Sequence, residues 1–389
     1  MIDFKDTKIA FISKSIADLK KASTLYRVMG NAGLTKISKA MTQFATYIRF
    51  PINWAVKPTI YSQFVGGETI EECLPTVSRN AEYKVKSILD YSVEGTESDE
   101  GIATALEETL KSIENAAQNP HIPFAVFKPT AFTRAEILTK VSAGDELTEK
   151  EKIEAQQFKE RIRTLCRKAH ELDIPILIDA EESWNQSFID DTVDEMMQEY
   201  NREKAIVFNT WQMYRHDRLA HLEQTYQKAL AGGYFIGAKF VRGAYMEKER
   251  ERAQKMGYPS PICKNKQETD KSYDAALRFA FAHRDKFSVF AGTHNEKSVL
   301  LLADLIQSEN IAFDNSQFWF SQLFGMSDNI SFNMARAGYN VAKYLPYGPV
   351  KFVLPYLFRR AEENTSVKGQ TGRELQLIRT EIKRRKSED

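Results

Sequence analysis

The sequence predicts an α/β protein, a distorted TIM-like (βα)8 barrel with an N-terminal helical extension. Short apolar and β-branched runs recur about eight times between residues 86 and 348, with amphipathic stretches between them. Several of these runs are continuously apolar, as expected for parallel strands that are covered on both faces. The 389 residues also leave room for a helical segment before a barrel of about 250 residues. We therefore expect residues 1–85 to be a helical segment packed on the barrel, and residues 86–389 to be the barrel with a C-terminal helix.

The N-terminal segment has the spacing of helices rather than of strands. Ile12, Ile16 and Leu19 recur at helical intervals, and a second apolar group around Met41 precedes Pro51. The stretch from 44 to 64 is rich in aromatic residues but also contains Arg and Lys. This mixture favours packing against the barrel over contact with a membrane.

Eight strands are predicted within the barrel, and a helical stretch follows each of the first seven. They are residues 86–94, 121–129, 174–181, 205–212, 235–243, 287–295, 310–319 and 340–348. Residues 143–169 are dense in charged side chains and predict a solvated helix. Residues 257–270 contain prolines and predict a loop that would cover the site as a lid, and the tail beyond Ser366 predicts a basic amphipathic helix.

Polar residues follow the apolar runs at the ends where (βα)8 barrels carry their active sites. Burying Asp179 or Lys128 there is costly without a partner or a ligand, so their placement indicates function. The polar residues at these ends are Lys128, Asp179, Gln212, Arg242, Thr293, His294 and Tyr344.

The segment 340–364, NVAKYLPYGPVKFVLPYLFRRAEEN, ends in a pair of arginines. If its second half is a helix, Tyr356, Arg359, Arg360 and Glu363 share one face. Two guanidinium groups and a phenol on one face suit a carboxylate or a phosphate. The alternative is a solvated helix end whose arginines pair with the neighbouring glutamates.

Composition excludes several classes of function. The net charge of +1 gives no global field that would favour nucleic acid, so a charged ligand must be held locally. Cys73, Cys166 and Cys263 are far apart without metal spacing, and the histidines show no paired spacing, so no metal site is predicted. With no signal peptide and no long apolar span, we expect a cytoplasmic protein.

No G-x-G-x-x-G follows a strand, so a dinucleotide site of the Rossmann type is unsupported. The fifth strand offers another way to hold a nucleotide cofactor. Lys239 and Arg242 supply positive charge, and Gly243 allows the backbone to approach a pyrophosphate closely. Thr293 and His294 add a hydroxyl and an imidazole that can reach phosphate or ribose.

Six stretches together resemble the flavin-dependent proline dehydrogenases, in the family's order and over roughly residues 60 to 365. They are KPTAF at 128–132, DAEE at 179–182, KFVRGAY at 239–245, GTHN at 292–295, QLFGM at 322–326 and the segment 340–364. The resemblance implies a monofunctional enzyme with FAD as its cofactor. It implies that FAD contacts Ala180, Gln212, Lys239, Val241, Arg242, Gly243, Ala244, Thr293 and His294. At Lys239 many relatives carry arginine, so the positive charge is kept and the bidentate geometry is not.

The resemblance also implies the substrate site. Lys128, Arg359 and Arg360 would bind the carboxylate of L-proline. The ring would lie among Tyr245, Leu323, Tyr344 and Tyr356, and Tyr344 would exclude a ring hydroxyl. Asp179 and Lys239 are the implied catalytic residues. We interpret Asp179 as an ion-pair partner that orders the cations, with direct general-base action as the second choice.

The implied reaction is hydride transfer from C5 of proline to N5 of FAD, which gives Δ1-pyrroline-5-carboxylate as the first step of proline catabolism. The family passes the electrons to a membrane quinone, so the resemblance implies a protein that contacts the inner membrane peripherally. A separate pyrroline-5-carboxylate dehydrogenase would take the product. Two alternatives stay open on the residues alone. They are a flavin barrel like methylenetetrahydrofolate reductase and a non-catalytic barrel that binds an anionic metabolite.

Overall fold

The computed structural model describes residues 2–30, 33, 53–92, 98–366 and 370–388. The strands in these ranges are β1 Lys86–Tyr91, β2 Ala125–Phe127, β3 Ile176–Ile178, β4 Val207–Gln212, β5 Ile236–Val241, β6 Phe287–Gly292, β7 Phe318–Leu323 and β8 Val341–Tyr347. All belong to one sheet with the order β1-β8-β7-β6-β5-β4-β3-β2. A sheet in which parallel strands alternate with helices in this order is a nearly closed (βα)8 barrel, which confirms the predicted fold class.

Helices precede β1 and separate most neighbouring strands. The described α-helices are α1 Thr7–Ala10, α2 Ile16–Met29, α3 Asn53–Val56, α4 Ser62–Phe64, α5 Ile70–Ala81, α6 Asp99–Gln118, α7 Ala135–Ala143, α8 Glu149–Glu171, α9 Ser183–Tyr200, α10 Arg218–Gly232, α11 Met246–Met256, α12 Lys266–Ala282, α13 Glu296–Ser308, α14 Asp328–Arg336, α15 Val350–Ser366 and α16 Gln370–Glu388. A π-helical turn at Lys57–Tyr61 joins α3 to α4, and a 3-10 turn at Pro129–Ala131 follows β2.

The chain divides into two compact units, one of Met1–Ser92 with Gln322–Asp389 and one of Val93–Ser321. In the second unit, β2 to β6 and the part of β7 up to Ser321 pair in parallel, with Gln212 opposite Val241 and Lys239 opposite Phe290. Phe124 packs edge-on against Phe208 and Phe290, with ring centroids 5.6 and 5.1 Å apart. All three rings are buried and belong to the close-packed core of this unit.

The first unit combines β1 and β8 with the N-terminal and C-terminal helices. The two strands pair in parallel from Lys86 opposite Ala342 to Tyr91 opposite Tyr347. Leu19 and Tyr26 of α2 share a buried apolar cluster with Leu357 of α15 and Leu377 of α16, among others. The helical character predicted for the N-terminal segment holds for the described part. The predicted domain boundary after residue 85 stays a prediction, and the apolar group around Met41 lies outside the described residues.

The seventh strand differs from its prediction. It was expected at residues 310–319, but β7 begins at Phe318 and continues to Leu323. Asn310 adopts a positive φ of 54°, and turns occupy most of residues 313–317, where Asp, Asn and Ser favour local hydrogen bonds over a ladder. The apolar side chains before this turn therefore belong to the connection from α13. The other seven strands lie within their predicted limits.

Among the described residues, no helix has both the length and the apolar character needed to cross a bilayer.

Candidate active site

An ion pair at the strand ends of the second unit joins two residues predicted to be catalytic. Lys239 lies within β5 with 5 % of its surface exposed, and its Nζ is 2.5 Å from Oδ1 of Asp179. Asp179 directly follows β3, and its backbone N–H donates to the carbonyl of Phe127 at 3.0 Å. The end of β2 thus fixes the backbone of Asp179, while Lys239 fixes its carboxylate. A buried lysine needs such a partner to keep its charge.

Gln212, the last residue of β4, lies between the turns that follow β3 and β5. Its Nε2 donates to the carbonyl of Glu181 at 2.6 Å, and its Oε1 accepts from the backbone N–H of Ala244 at 3.3 Å. The amide is 3 % exposed, so both bonds are made in a buried setting. Gln212 therefore sets the separation of two turns that were predicted to contact a cofactor.

Glu181 belongs to the same buried group, although it was not among the residues predicted from the sequence. It is 3 % exposed, and its carboxylate accepts from the hydroxyls of Thr130 and Tyr245, both at 2.8 Å. The phenol of Tyr245, predicted to contact the substrate, is thereby held in one orientation. The available signal was its position two residues after Asp179, on the same side of an extended chain.

Arg242 follows β5 and has its guanidinium held by several neighbours. Nη1 donates to the hydroxyl of Thr293 at 2.6 Å, Nη2 donates to Ser298 at 3.0 Å, and Nε donates to Asp270 at 2.8 Å. Although burial alone raises the pKa of Asp270, its bonds to Lys266 and Arg242 lower it below the ordinary value. The arrangement is a preorganised donor set beside the N-terminus of α13, where an anion is favoured.

Gly243 lets the chain turn after β5. Its φ is +132°, and an added Cβ would lie 2.5 Å from three ring atoms of Tyr214. The backbone of Tyr214 is held in place, because its N–H donates to the carbonyl of Arg242 and its carbonyl accepts from the N–H of Cys263, both at 2.7 Å. Only glycine fits this position without displacing the buried ring.

The segment predicted as a lid, residues 257–270, is attached to the chain that follows β4. The N–H of His216 donates to the carbonyl of Pro261 at 3.1 Å, and Arg215 forms an antiparallel bridge with Ile262. From Lys266 onward the segment belongs to α12. Its action as a lid stays a prediction.

The remaining predicted cofactor residues lie in the same turns of the second unit. Ala180 follows Asp179, Val241 ends β5, Ala244 follows Gly243, and His294 follows Thr293. The predicted substrate residues divide between the units, with Lys128 and Tyr245 in the second and the others in the first. Lys128 directly follows β2 and is 8 % exposed.

In the first unit, the second half of the segment 340–364, which carries the two arginines, forms α15, as predicted. Tyr356 is buried, and the guanidinium of Arg360 lies 5.3 Å from the centroid of its ring. Arg360 is buried as well, whereas Arg359 is partly exposed. Tyr356 and Arg360 therefore share a face of the helix, while the side chain of Glu363 lies outside the described part.

Leu323 and Tyr344 are the other substrate residues predicted in this unit. Leu323 ends β7, and Tyr344 lies in the middle of β8 with its side chain buried. The N–H of Phe324 donates to the carbonyl of Tyr344 at 2.8 Å, which fixes the two positions relative to each other.

A buried ionic cluster supports the loop after Leu323. Nζ of Lys343 lies 2.8 Å from Oδ1 of Asp328 and also donates to the carbonyl of Met326. Glu374 of α16 accepts from the N–H of Ser327. Burial raises the pKa of Glu374 to about 7, with a further contribution from Asp328, and burial lowers the pKa of Lys343. The C-terminal helix thus holds this loop through a carboxyl group that is easily protonated.

Within the described ranges, no group of three or more His, Cys, Asp or Glu side chains is arranged to hold a metal ion.

Comparison with known proteins gives the family. The family model described as proline dehydrogenase matches residues 73–373. Mitochondrial proline dehydrogenase 1 of Dictyostelium discoideum is 31% identical over 426 residues, which cover 98% of this chain and 74% of that protein. The carbapenem antibiotics biosynthesis protein CarD of Pectobacterium carotovorum subsp. carotovorum is 34% identical over 84% of each chain.

A solved structure shares the fold. Proline utilization A from Bdellovibrio bacteriovorus, inactivated by N-propargylglycine, superposes with a TM-score of 0.74 at 19% identity over 92% of this chain. The match spans 39% of that larger protein. The family model covers most of the chain, and a relative of 31% identity covers 98% of it. The chain is therefore a member of the proline dehydrogenase family.

Proposed function

We propose that this protein is an FAD-dependent enzyme that oxidises L-proline to Δ1-pyrroline-5-carboxylate. The observation that carries the proposal is the buried Lys239–Asp179 pair beside Gln212 at the carboxyl ends of β3, β4 and β5. In a barrel of this class, the carboxyl ends of the strands are where the chemistry takes place. Family membership supplies the substrate class, and the donor set around Arg242 supplies a place for an anionic cofactor.

The residues at the ends of β5 and β6 fit the diphosphate and ribose of FAD. The guanidinium of Arg242 and the hydroxyl of Thr293 lie side by side at the N-terminus of a 13-residue helix, α13. Gly243 and Ala244 carry no bulky side chain that would keep a ligand from their backbone. FAD bound there would accept the hydride from C5 of proline at its N5.

The cofactor residues in this proposal are those predicted from the sequence. They are Ala180, Gln212, Lys239, Val241, Arg242, Gly243, Ala244, Thr293 and His294.

The proposed substrate site binds a small ring that carries one carboxylate. Lys128, Arg359 and Arg360 bind the carboxylate, because guanidinium forks match its geometry and an ammonium adds charge. The ring contacts Tyr245, Leu323, Tyr344 and Tyr356, which are apolar over most of their surface. The proposed role of Asp179 is to hold the ammonium of Lys239 in place, which their 2.5 Å contact supports.

The proposed electron acceptor is a membrane quinone, reached by transient contact with the membrane surface. The product would pass to a separate pyrroline-5-carboxylate dehydrogenase. Hydride leaves C5 only when the ring nitrogen has lost its extra proton, so we expect the rate of flavin reduction to rise with pH.

The proposal is tested by mixing the purified, FAD-loaded protein with L-proline without oxygen. We expect the visible flavin absorbance to bleach. In Arg359→Met, half-maximal bleaching should need about 10- to 100-fold more proline, because one charge-assisted hydrogen-bonding partner of the carboxylate is lost.

Arg284→Met is the control, since this partly exposed arginine pairs with the exposed Glu309 and is not one of the proposed site residues. A colourless protein that cannot be reconstituted with FAD would contradict the proposal as a whole. Unweakened bleaching of Arg359→Met at low proline would remove Arg359 from the carboxylate site.

A further inference from the structure

Two turns at the strand ends are joined by three side-chain bridges, and the third of these bridges has no role in the function proposed above. One turn and the first residue of the helix after it, residues 180–183, lead from β3 into α9. The other turn and the first four residues of its helix, residues 244–249, lead from β5 into α11. Gln212 forms the first bridge, from the carbonyl of Glu181 to the N–H of Ala244. Tyr245 forms the second by donating to the carboxylate of Glu181.

Glu249 forms the third bridge, from the first turn of α11. It is fully buried, with 0 % of its surface exposed. Its Oε1 accepts from the backbone N–H of Ser183 at 2.6 Å, and its Oε2 accepts from the hydroxyl of the same serine at 2.6 Å. A buried carboxylate is costly unless it is fully hydrogen-bonded, and both of its oxygens are bonded here.

The bridge replaces a helix cap that α9 does not provide for itself. The N-cap residue of this 18-residue helix is Glu182, whose side chain makes no capping bond. Ser183 is the first residue of the helix, so its N–H has no acceptor within the helix. The carboxylate of Glu249 supplies that acceptor and places negative charge at the positive end of the helix dipole.

Two further contacts join the same elements. Nζ of Lys248 lies 3.0 Å from Glu182, and the guanidinium of Arg252 lies 4.6 Å from the ring of Trp184. Three residues on one side of α11 thus meet three consecutive residues at the start of α9. The contact that is both buried and charged is that of Glu249.

We propose that Glu249 is a positioning residue for the flavin site. By capping α9 from α11, it fixes the separation of the turns after β3 and β5, and with it the positions of Asp179, Gln212 and Tyr245. The inference rests on the proposed function, because it assigns Glu249 an effect on FAD binding and on proline oxidation. Glu249 itself touches neither FAD nor substrate in this proposal.

The test compares Glu249→Ala, Glu249→Gln and Ser183→Ala with the matched control Glu251→Gln, which changes an exposed glutamate of the same helix. Four quantities are measured on the full chain. They are the FAD dissociation constant, the flavin reduction potential, kcat and KM for L-proline, and hydrogen exchange of the amides in residues 179–186 and 243–249.

We expect Glu249→Ala to speed amide exchange in both segments, to weaken FAD binding about tenfold, to shift the reduction potential and to lower kcat by about 10- to 100-fold. Misplacement of catalytic groups by about 1 Å can cost this much. Glu249→Gln keeps one acceptor for the N–H of Ser183 and should lie between Glu249→Ala and the native protein. Ser183→Ala keeps the N–H bond and should do the same, while Glu251→Gln should change nothing.

If Glu249→Ala does not fold, Glu249→Gln and Ser183→Ala decide the matter. Faster amide exchange with native FAD affinity, potential and kcat would show a purely structural contact and overturn the inference alone. A native protein that neither binds FAD nor bleaches with proline would overturn the proposed function, and the inference with it. In that case, amide exchange that is slow in the native protein and fast only in the Glu249 and Ser183 variants would show that the native preparation is folded.

Discussion

At the scale of single residues, the positions that tolerate the fewest substitutions are those restricted both by their backbone conformation and by a neighbouring side chain. Gly243 is such a position, because its φ of +132° is poorly suited to other residues and the ring of Tyr214 fills the space of a Cβ. We expect Gly243→Ala to lower the free energy of unfolding by about 2–5 kcal/mol, from backbone strain and overpacking. Urea denaturation measures this loss.

Gly144→Ala separates the two causes of that loss. Gly144 also has a positive φ, +74°, but nothing lies within 4 Å of an added Cβ. Gly144→Ala should therefore lower the free energy of unfolding only by the backbone contribution, about 1–2 kcal/mol. Equal losses in the two variants would show that the contact with Tyr214 carries no energy.

Residue chemistry could be predicted where a polar side chain interrupts an apolar run. Asp179 and Lys239 stand out in this way, and the structure places them in contact. The role of Glu249 could not be predicted in this way, because Glu249 lies in the run MEKERER, whose charge pattern is typical of a solvated helix face. Its burial depends on Ser183, which lies 66 residues earlier in the chain. Sequence spacing carries no information about such a contact.

At the scale of elements, β4 and its flanking helices are tied together by one buried network. Asp190 of α9 accepts two bonds from Arg218 of α10, at 2.7 and 3.1 Å, and one from Asn209 of β4 at 2.9 Å. Burial alone would raise the pKa of Asp190, but Arg218, His221 and Asn209 hold it down to about 2. The network holds β4, whose last residue is Gln212.

Arg218→Met should destabilise the protein by about 3–5 kcal/mol, because it leaves the charge of Asp190 buried without its ion-pair partner. The measurement is the midpoint and slope of urea denaturation at neutral pH. Arg163→Met is the control, since Arg163 pairs with Glu160 and Glu199 at the surface and should lose less than about 1 kcal/mol. A loss in Arg218→Met no larger than in this control would mean that Asp190 does not depend on the pair.

The bounds of elements could be predicted where turn residues mark them, and β7 shows the limit of that method. The apolar residues from Ile311 to Phe313 have the composition of a strand, but the following Asp, Asn and Ser bend the chain before the ladder begins at Phe318. Apolar runs predict burial, and burial alone does not distinguish a strand from a packed connection. The helix α15 was easier to predict, because Tyr356 and Arg360 are four residues apart and this spacing places them on one face of a helix, where they are in contact.

At the scale of the whole molecule, the barrel class follows from alternation, which needs no exact boundary. About eight apolar runs separated by helices leave few other arrangements for a chain of this length. The division into units is different, because one unit takes residues from both ends of the chain. Contacts of α2 with α15 and α16 within that unit arise from tertiary packing that a local pattern does not encode.

The pH dependence of global stability tests the buried cluster of Glu374, Asp328 and Lys343. Burial raises the pKa of Glu374 from 4.5 to about 7, so the folded protein keeps a proton that the unfolded chain releases in this range. The stabilisation is therefore complete below about pH 4.5 and is lost as pH rises through about 7.

Glu374→Gln mimics the protonated form of this residue, and its side chain can still accept from the N–H of Ser327. Relative to the native protein, it should gain stability with rising pH, by an amount on the order of 3 kcal/mol at most. Urea denaturation at about pH 5 and about pH 8 measures the gain, and the exposed Glu388→Gln on the same helix should show none. A difference between Glu374→Gln and the native protein that is equal at both pH values would mean that Glu374 already carries its charge in the folded state near pH 5.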